Sequence, residues 1–166
     1  METIKIGLIG LGTVGSGVLQ MLQNNQDKIT NITGRQLVVK TIAVHDINKP
    51  RPVNTDHLTL TSNVNDIIND PEIKIVVEVM GGIHPAKEII ETLLHAGKHV
   101  VTANKDLIAS AGQALATIAQ NNHCDLMYEA SVAGGIPILR TGTRLPNSKN
   151  SFCISVLCFS RSLAFS

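Results

Sequence analysis

The sequence predicts an α/β protein built on a doubly wound parallel sheet. Three observations predict this class: short apolar segments bounded by turn residues, helical segments between them, and a glycine-rich turn directly after the first apolar segment. Strands that are apolar throughout are typical of a parallel sheet that helices cover on both faces. The 43% apolar and 16% charged residues of the 166-residue chain fit a folded domain with a buried core.

The apolar segments predict strands at 4–9, 36–44, 73–79, 99–102 and 125–128. Helices are expected at 13–26, 64–69, 85–96 and 104–121, and loops at 31–35 and 45–62. Pro85 suits the first turn of a helix, Gly97 a helix C-terminus and Asn104 an N-cap. The apolar face expected for the first helix consists of Val14, Val18, Met21 and Leu22.

Composition argues against several classes of function. With a formal net charge of +1, no Trp and one Tyr, the chain lacks the basic surface and the aromatic residues typical of nucleic-acid binding. No segment approaches the roughly 20 apolar residues of a membrane span, and no signal peptide is recognised at the start. The odd count of three cysteines indicates reduced thiols and favours a cytoplasmic location.

The glycine turn has the sequence Gly10-Leu11-Gly12-Thr13-Val14-Gly15. It follows a strand and opens a helix, which is the context that the G-x-G-x-x-G fingerprint requires. Gly10 permits the tight turn, Gly12 leaves room for a pyrophosphate, and Gly15 lets helix and strand pack closely. Free N–H groups at the helix start would hold the phosphates. The turn therefore predicts a Rossmann-type domain that binds NAD or NADP, with a purely structural glycine turn as the alternative.

The polar stretch after the second strand contains residues that bear on the choice of cofactor. Asp46 would hold the ribose hydroxyls of NAD, whereas Lys49 and Arg51 would accept the 2′-phosphate of NADP. A solvated polar loop without a ligand is an equally acceptable interpretation. Both cofactors stay open at this point.

Three further segments follow in order along the chain: V-V-E-V-M-G-G at 76–82, V-V-T-A-N-K at 100–105 and E-A-S-V-A-G-G-I-P-I at 129–138. Each comes at the carboxyl end of a predicted strand. Ligands bind outside the carboxyl ends of the strands in an open parallel sheet, so these segments are expected to line one crevice.

Together with I-G-L-I-G-L-G-T-V-G at 6–15, these segments resemble homoserine dehydrogenase over about residues 4–140. The resemblance implies NAD(P)H-dependent interconversion of L-aspartate 4-semialdehyde and L-homoserine, a step towards threonine and methionine, in a protein that forms homo-oligomers. Another NAD(P)-dependent amino-acid dehydrogenase is the enzymatic alternative, and the 129–138 segment argues against it.

The resemblance also assigns roles to single residues. It implies that Leu11, Thr13 and Val14 contact the cofactor and that Gly81 lies near its ribose–nicotinamide side. It implies that Lys105 lies near the nicotinamide and the substrate, where a cation binds substrate or assists a proton relay. The alternative is a solvated lysine at a helix start, a position that the helix dipole makes unfavourable for a cation.

A monovalent cation, usually sodium, is a further implication of the resemblance. Mostly oxygen ligands would hold it, since hard cations prefer oxygen. An ordinary glycine turn is the alternative. The residues concerned are Glu129, Val132, Gly134 and Ile136.

Two features depart from the family pattern. His45 stands where many members carry an arginine for the NADP phosphate. Residues 142–166 match nothing in the family, which continues with a substrate domain that carries the proton-donor lysine and the dimer contacts. We therefore expect an NAD(P)-binding domain at 1–140, a divergent tail at 141–166 from a frameshifted or shortened reading frame, and cofactor binding with little turnover by this chain alone. An inactive nucleotide-binding remnant is the non-enzymatic alternative.

Overall fold

The computed structural model describes residues 2–128. The strands are β1 (Glu2–Ile9), β2 (Arg35–Ala43), β3 (Thr59–Thr61), β4 (Ile73–Glu78), β5 (His99–Thr102) and β6 (Leu126–Met127). The helices are α1 (Thr13–Asn24), α2 (Gln26–Thr33), α3 (Asn65–Ile68), α4 (Ala86–His95) and α5 (Lys105–Asn121).

All described strands belong to one parallel sheet in the order β3-β2-β1-β4-β5-β6. The chain winds outward from β1 to β2 and β3, returns to β4 on the other side of β1, and then continues to β5 and β6. The predicted doubly wound parallel sheet is thereby confirmed. The order of strands reverses between β1 and β4, and a crevice for a ligand is expected at that point of such a sheet.

Two apolar clusters form the core, one on each face of the sheet. The first joins α1 and α2 to β1 and β2 and includes Ile6, Leu8, Val18, Leu19, Ile29 and Ile42. The second joins α4 and α5 to β4 and β5 and includes Val76, Ile90, Leu93, Val100, Leu107 and Leu115. Successive strand residues point to opposite faces, so strands covered on both faces are apolar at almost every position.

The capping residues of α4 and α5 lie as the sequence predicts, with one shift. Asn104 is the N-cap of α5, and its side chain accepts the N–H of Leu107. Gly97 follows α4 at φ +75°, the left-handed conformation common after a helix C-terminus. Helix α4 begins at Ala86 rather than Pro85, and Pro85 occupies the position before it.

Two predicted loops are wrong in part. The chain at 31–35 continues α2 to Thr33, and Gly34 ends that helix at φ +68°. Helix α2 is placed by tertiary packing, since Ile29 is buried against β2 in the first cluster. The 45–62 stretch contains β3, whose three residues pair with the end of β2. A strand of three residues is too short to show a period of two in the sequence.

Val14 is also misplaced by the sequence prediction. It does not join the apolar face of α1 and is 51% exposed. Val14 lies in the first turn of α1 beside Gly12 and Thr13, which are exposed as well.

None of the helices within residues 2–128 is long and apolar enough to cross a membrane.

Candidate functional site

Gly10 occupies a narrow position between three strand ends. Its N–H donates to the carbonyl of Ala43 at 2.9 Å, which joins the turn to the end of β2. Its φ is +99°, and a Cβ on Gly10 would lie 2.9 Å from the carbonyl oxygen of Val79, just beyond β4. A side chain is therefore excluded here by conformation and by space.

Gly15 brings α1 against the same turn. A Cβ on Gly15 would lie 2.2 Å from the carbonyl oxygen of Gly10, well inside van der Waals contact. This contact sets the distance between the start of α1 and the end of β1. It also places the first-turn N–H groups of α1 over the carboxyl end of the sheet, at the point between β1 and β4 where the strand order reverses.

Gly12 differs from these two glycines because the space around it is open. It precedes α1 as the N-cap without a side-chain cap, and a Cβ on Gly12 would meet no protein atom within 4 Å. No acidic residue lies in the first turn of α1. The free N–H groups and positive end of this helix are thus accessible to an anion that approaches over Gly12.

The loop at 46–51 folds back on itself. The carboxylate of Asp46 accepts the N–H of Asn48 at 2.9 Å. The Arg51 guanidinium donates to the carbonyls of Lys49 at 2.8 Å and Ile47 at 3.1 Å, and also to that of Asp46. Arg51 therefore stabilises this loop, and the structure supports neither NAD nor NADP over the other.

Glu78, the last residue of β4, is a buried carboxylate that sequence reasoning assigned no role. It is 0% exposed; one carboxylate oxygen accepts the N–H of Met80 at 2.8 Å, and the other accepts the Thr102 hydroxyl at 2.6 Å. The same hydroxyl accepts the N–H of Asn104 at 3.1 Å. The available signal in the sequence was a carboxylate placed directly after the apolar run Ile75-Val76-Val77 at the end of a strand.

Two turns meet beside Glu78: the 79–82 turn after β4 and the 102–105 turn after β5. Gly81 and Gly82 adopt φ values of +77° and +76°, so the first turn has a backbone that favours glycine. The Asn104 amide donates to the carbonyl of Gly82 at 2.5 Å, which links the two turns directly. Lys105 follows as the first, exposed residue of α5.

The structure thus brings the predicted cofactor residues to the carboxyl end of the sheet in three groups. The glycine turn lies in the middle, with the 46–51 loop after β2 on one side and the turns carrying Gly81 and Lys105 on the other. The four residues of the predicted sodium site, Glu129, Val132, Gly134 and Ile136, lie outside the described residues. Within residues 2–128, no group of three His, Cys, Asp or Glu side chains could hold a metal ion.

Exposed apolar side chains lie at this same end of the sheet. The large apolar residues that are exposed in the described part of the chain are Val14 at 51%, Ile47 at 42% and Met80 at 40%. They belong to the start of α1, the 46–51 loop and the 79–82 turn. Ligand sites are lined mainly by apolar side chains with a few convergent polar groups, and this end of the sheet has that composition.

Comparison with known proteins identifies the relatives of the chain. Residues 10–129 match the family model described as the NAD-binding domain of homoserine dehydrogenase. The homoserine dehydrogenase of Bacillus subtilis is 48% identical over 141 residues, which cover 85% of this chain and 33% of that protein. The homoserine dehydrogenase of Lactococcus lactis is 43% identical over 90% of this chain and 35% of its own length.

Solved structures give the same relationship. The S. aureus homoserine dehydrogenase superposes with a TM-score of 0.77 at 46% identity, over 81% of this chain and 34% of its own. That from Thiobacillus denitrificans superposes with a TM-score of 0.75 at 44% identity. The chain spans about a third of the length of these relatives. By sequence and by fold, the chain belongs to the homoserine dehydrogenase family and carries its NAD-binding domain.

Proposed function

We propose that this chain binds NAD(P)H as the cofactor domain of an enzyme that interconverts L-aspartate 4-semialdehyde and L-homoserine. The observation that carries the proposal is the open position at Gly12, which lies over the N-terminus of α1 at the point where the strand order reverses. Since the chain spans about a third of its relatives, the activity is proposed for a protein of their length.

The arrangement of the strand ends supports a direction for the bound cofactor. The pyrophosphate would lie over Gly12 and the N–H groups of α1. The 46–51 loop would hold the adenosine ribose, through Asp46 for NAD or through Lys49 and Arg51 for NADP. The nicotinamide half would then lie on the other side of the glycine turn, over Gly81 and towards Lys105.

Lys105 would assist the reaction through its charge. When bound, NAD(P)H supplies a hydride to the aldehyde carbon of the substrate, and negative charge develops on the carbonyl oxygen. A cation beside that oxygen stabilises the charge and can take part in delivering the proton. The exposed position of Lys105 beside the 79–82 turn supports this role.

The other expectations from the resemblance are proposals without a described site. They comprise sodium at Glu129, Val132, Gly134 and Ile136, a domain that extends to residue 140, homo-oligomers and a cytoplasmic location. What supports them is membership of the family. Either cofactor is compatible with the 46–51 loop.

Titration of NADH and NADPH into the purified 166-residue chain tests cofactor binding. Gly12→Ala places a methyl group where the protein leaves open space, so this variant should fold and yet bind cofactor at least about tenfold more weakly. Gly17→Ala is the matched control, because it lies on the same helix with open space and away from the turn. Unchanged affinity in Gly12→Ala would contradict the proposed position of the pyrophosphate.

A chimera extends the same test to activity. Residues 2–128 would replace the matching segment of the B. subtilis homoserine dehydrogenase, to which the chain is 48% identical. The chimera should oxidise NAD(P)H with L-aspartate 4-semialdehyde, and Gly12→Ala should abolish most of that activity while Gly17→Ala retains it. A folded chimera that binds cofactor without turnover would argue against the proposed reaction.

A further inference from the structure

We propose that Glu78 is a positioning residue for the nicotinamide half of the cofactor. Its carboxylate joins the 79–82 turn to the 102–105 turn through the Met80 N–H and the Thr102 hydroxyl. It touches neither cofactor nor substrate in this role. The inference rests on the proposed function, since it concerns the part of the cofactor that those two turns would receive.

The burial of Glu78 requires an explanation. A carboxylate at 0% exposure loses its hydration, and an apolar side chain in its place would avoid that cost. The ion pairs found among the described residues do not include Glu78. Its hydrogen bonds go instead to Met80, in the turn after β4, and to Thr102, the last residue of β5. Residues that break local rules in this way occur preferentially at functional sites.

The hydrogen bonds form a connected set. The N–H of Asn104 donates to the Thr102 hydroxyl, and that hydroxyl donates to Glu78. On the other side, Glu78 accepts the N–H of Met80. Glu78 and Thr102 face each other in the pairing of β4 with β5, and the regular ladder ends at this pair. The carboxylate therefore continues the connection between the two strands where backbone pairing stops.

The turns that Glu78 joins lie on one side of the glycine turn only. Met80 precedes Gly81, and Asn104 precedes Lys105, so each hydrogen bond acts one residue away from a proposed cofactor residue. The 46–51 loop, which would receive the adenosine half, makes its own hydrogen bonds and none to this set. Loss of the carboxylate should therefore disturb the nicotinamide end and leave the adenosine end intact.

Two substitutions remove the connection without removing volume. Glu78→Gln keeps the shape, but with a single carboxamide oxygen it cannot accept both the Met80 N–H and the Thr102 hydroxyl proton. Thr102→Val removes the hydroxyl and keeps the branched shape. Thr102→Ser keeps the hydroxyl and serves as the conservative rescue. Because Glu78→Gln and Thr102→Val disrupt the same connected set of hydrogen bonds, their effects should be non-additive in the double variant.

The test compares two ligands on the 166-residue chain. NADH and NADPH contain the nicotinamide half, whereas ADP carries the adenosine and the pyrophosphate alone. Glu78→Gln and Thr102→Val should weaken binding of the better reduced cofactor by at least about tenfold and change ADP binding by less than about threefold. Thr102→Ser should bind both ligands like the unmodified chain. Should Glu78→Gln fail to fold, Thr102→Val makes the same comparison.

Thr61→Val is the matched control. Thr61 is also a buried threonine at the end of a strand, and its hydroxyl donates to the carboxylate of Asp66. It lies on β3, the outermost strand, which pairs with β2 and not with β4 or β5. It should leave the ratio of cofactor affinity to ADP affinity unchanged. Equal weakening of both ligands in Glu78→Gln and Thr102→Val, or none, would overturn the positioning role. Absence of binding of either ligand by the unmodified chain would instead refute the proposed function, and the inference with it.

Discussion

The three glycines of the glycine turn have different physical roles, although the same residue type stands at each position. Gly10 is required by a positive φ and by the Val79 backbone, and Gly15 is required by the Gly10 carbonyl. Gly12 is required by nothing within the described protein, since the space beside it is open. Substitutions at Gly15 and Gly12 should therefore separate folding from binding.

Gly15→Ala should destabilise the folded chain by about 1–3 kcal/mol, because a Cβ 2.2 Å from the Gly10 carbonyl forces the backbone of α1 or of the turn to move. Gly17→Ala, two residues along the same helix, meets no atom within 4 Å and should stabilise by roughly 0.5–1 kcal/mol. Urea unfolding followed by circular dichroism measures both. Equal stabilities of these two variants would show that α1 does not pack on the turn as described.

The glycines of the motif were predictable from the sequence, whereas the role of Glu78 was not. The glycines are recognisable because all three lie within one segment of six residues, Gly10 to Gly15, at the spacing of a known motif. The role of Glu78 depends on Thr102, which is 24 residues away along the chain. Only the parallel pairing of β4 with β5 brings the two residues opposite each other.

Among the secondary-structure elements, α5 begins with a residue, Asn104, that both caps the helix and contacts a distant turn. Asn104 accepts the N–H of Leu107 in the first turn of its own helix, which is the expected behaviour of an N-cap. Its amide also donates to the carbonyl of Gly82 in the preceding turn. The cap was predictable from the sequence, whereas the link to Gly82 required the two strand ends to be neighbours.

Asn104→Ala removes the cap and the link together and should cost about 1 kcal/mol or somewhat more in the free energy of unfolding. Asn104→Ser retains an oxygen that can cap α5 but cannot reach the Gly82 carbonyl as a donor in the same way. Its stability should lie between those of Asn104→Ala and the unmodified chain in urea titrations. If Asn104→Ala and the unmodified chain unfold at the same urea concentration, the cap contributes nothing to stability.

At the scale of the whole molecule, charge is arranged differently at the two ends of the sheet. An ion-pair network near the start of β4 connects Lys40 to Asp70 at 2.5 Å and to Glu72 at 2.6 Å, and Lys5 to Glu72 at 2.5 Å. The hydrogen bonds from Lys40 are the main cause that lowers the pKa values of Asp70 and Glu72 below their ordinary 3.8 and 4.5. The network lies at the amino end of β4, and the cofactor site lies at the carboxyl end of the same strand.

The lowered pKa values make stability depend on acid pH. A carboxyl group with a lower pKa in the folded state stabilises it fully above its ordinary pKa, and this contribution is lost as the pH falls through the folded value. The midpoint temperature of thermal unfolding should therefore decrease as the pH is lowered below about 4.5. The pKa of Lys40 is raised above 10.5, so its own titration affects stability only at alkaline pH.

Lys40→Met should reduce this acid dependence, because it removes the shared hydrogen-bond donor of Asp70 and Glu72. Lys87→Met is the control: Lys87 contacts Glu91 at 3.8 Å on α4 and takes no part in the network. Thermal midpoints measured between pH 3 and pH 7 at constant ionic strength compare the slopes. A Lys40→Met variant with the unmodified slope would show that the network does not govern acid stability.

The sequence by itself determined the fold class, the cofactor class and the family. These follow from local patterns: apolar strands, helix caps and a glycine turn whose members lie within a few residues of each other. Tertiary structure alone decided the placement of α2 and β3, the exposure of Val14, and the connection from Glu78 through Thr102 to the turns before Gly81 and Lys105. These features depend on contacts between segments far apart in the chain, and only the order and register of the parallel strands bring such segments together.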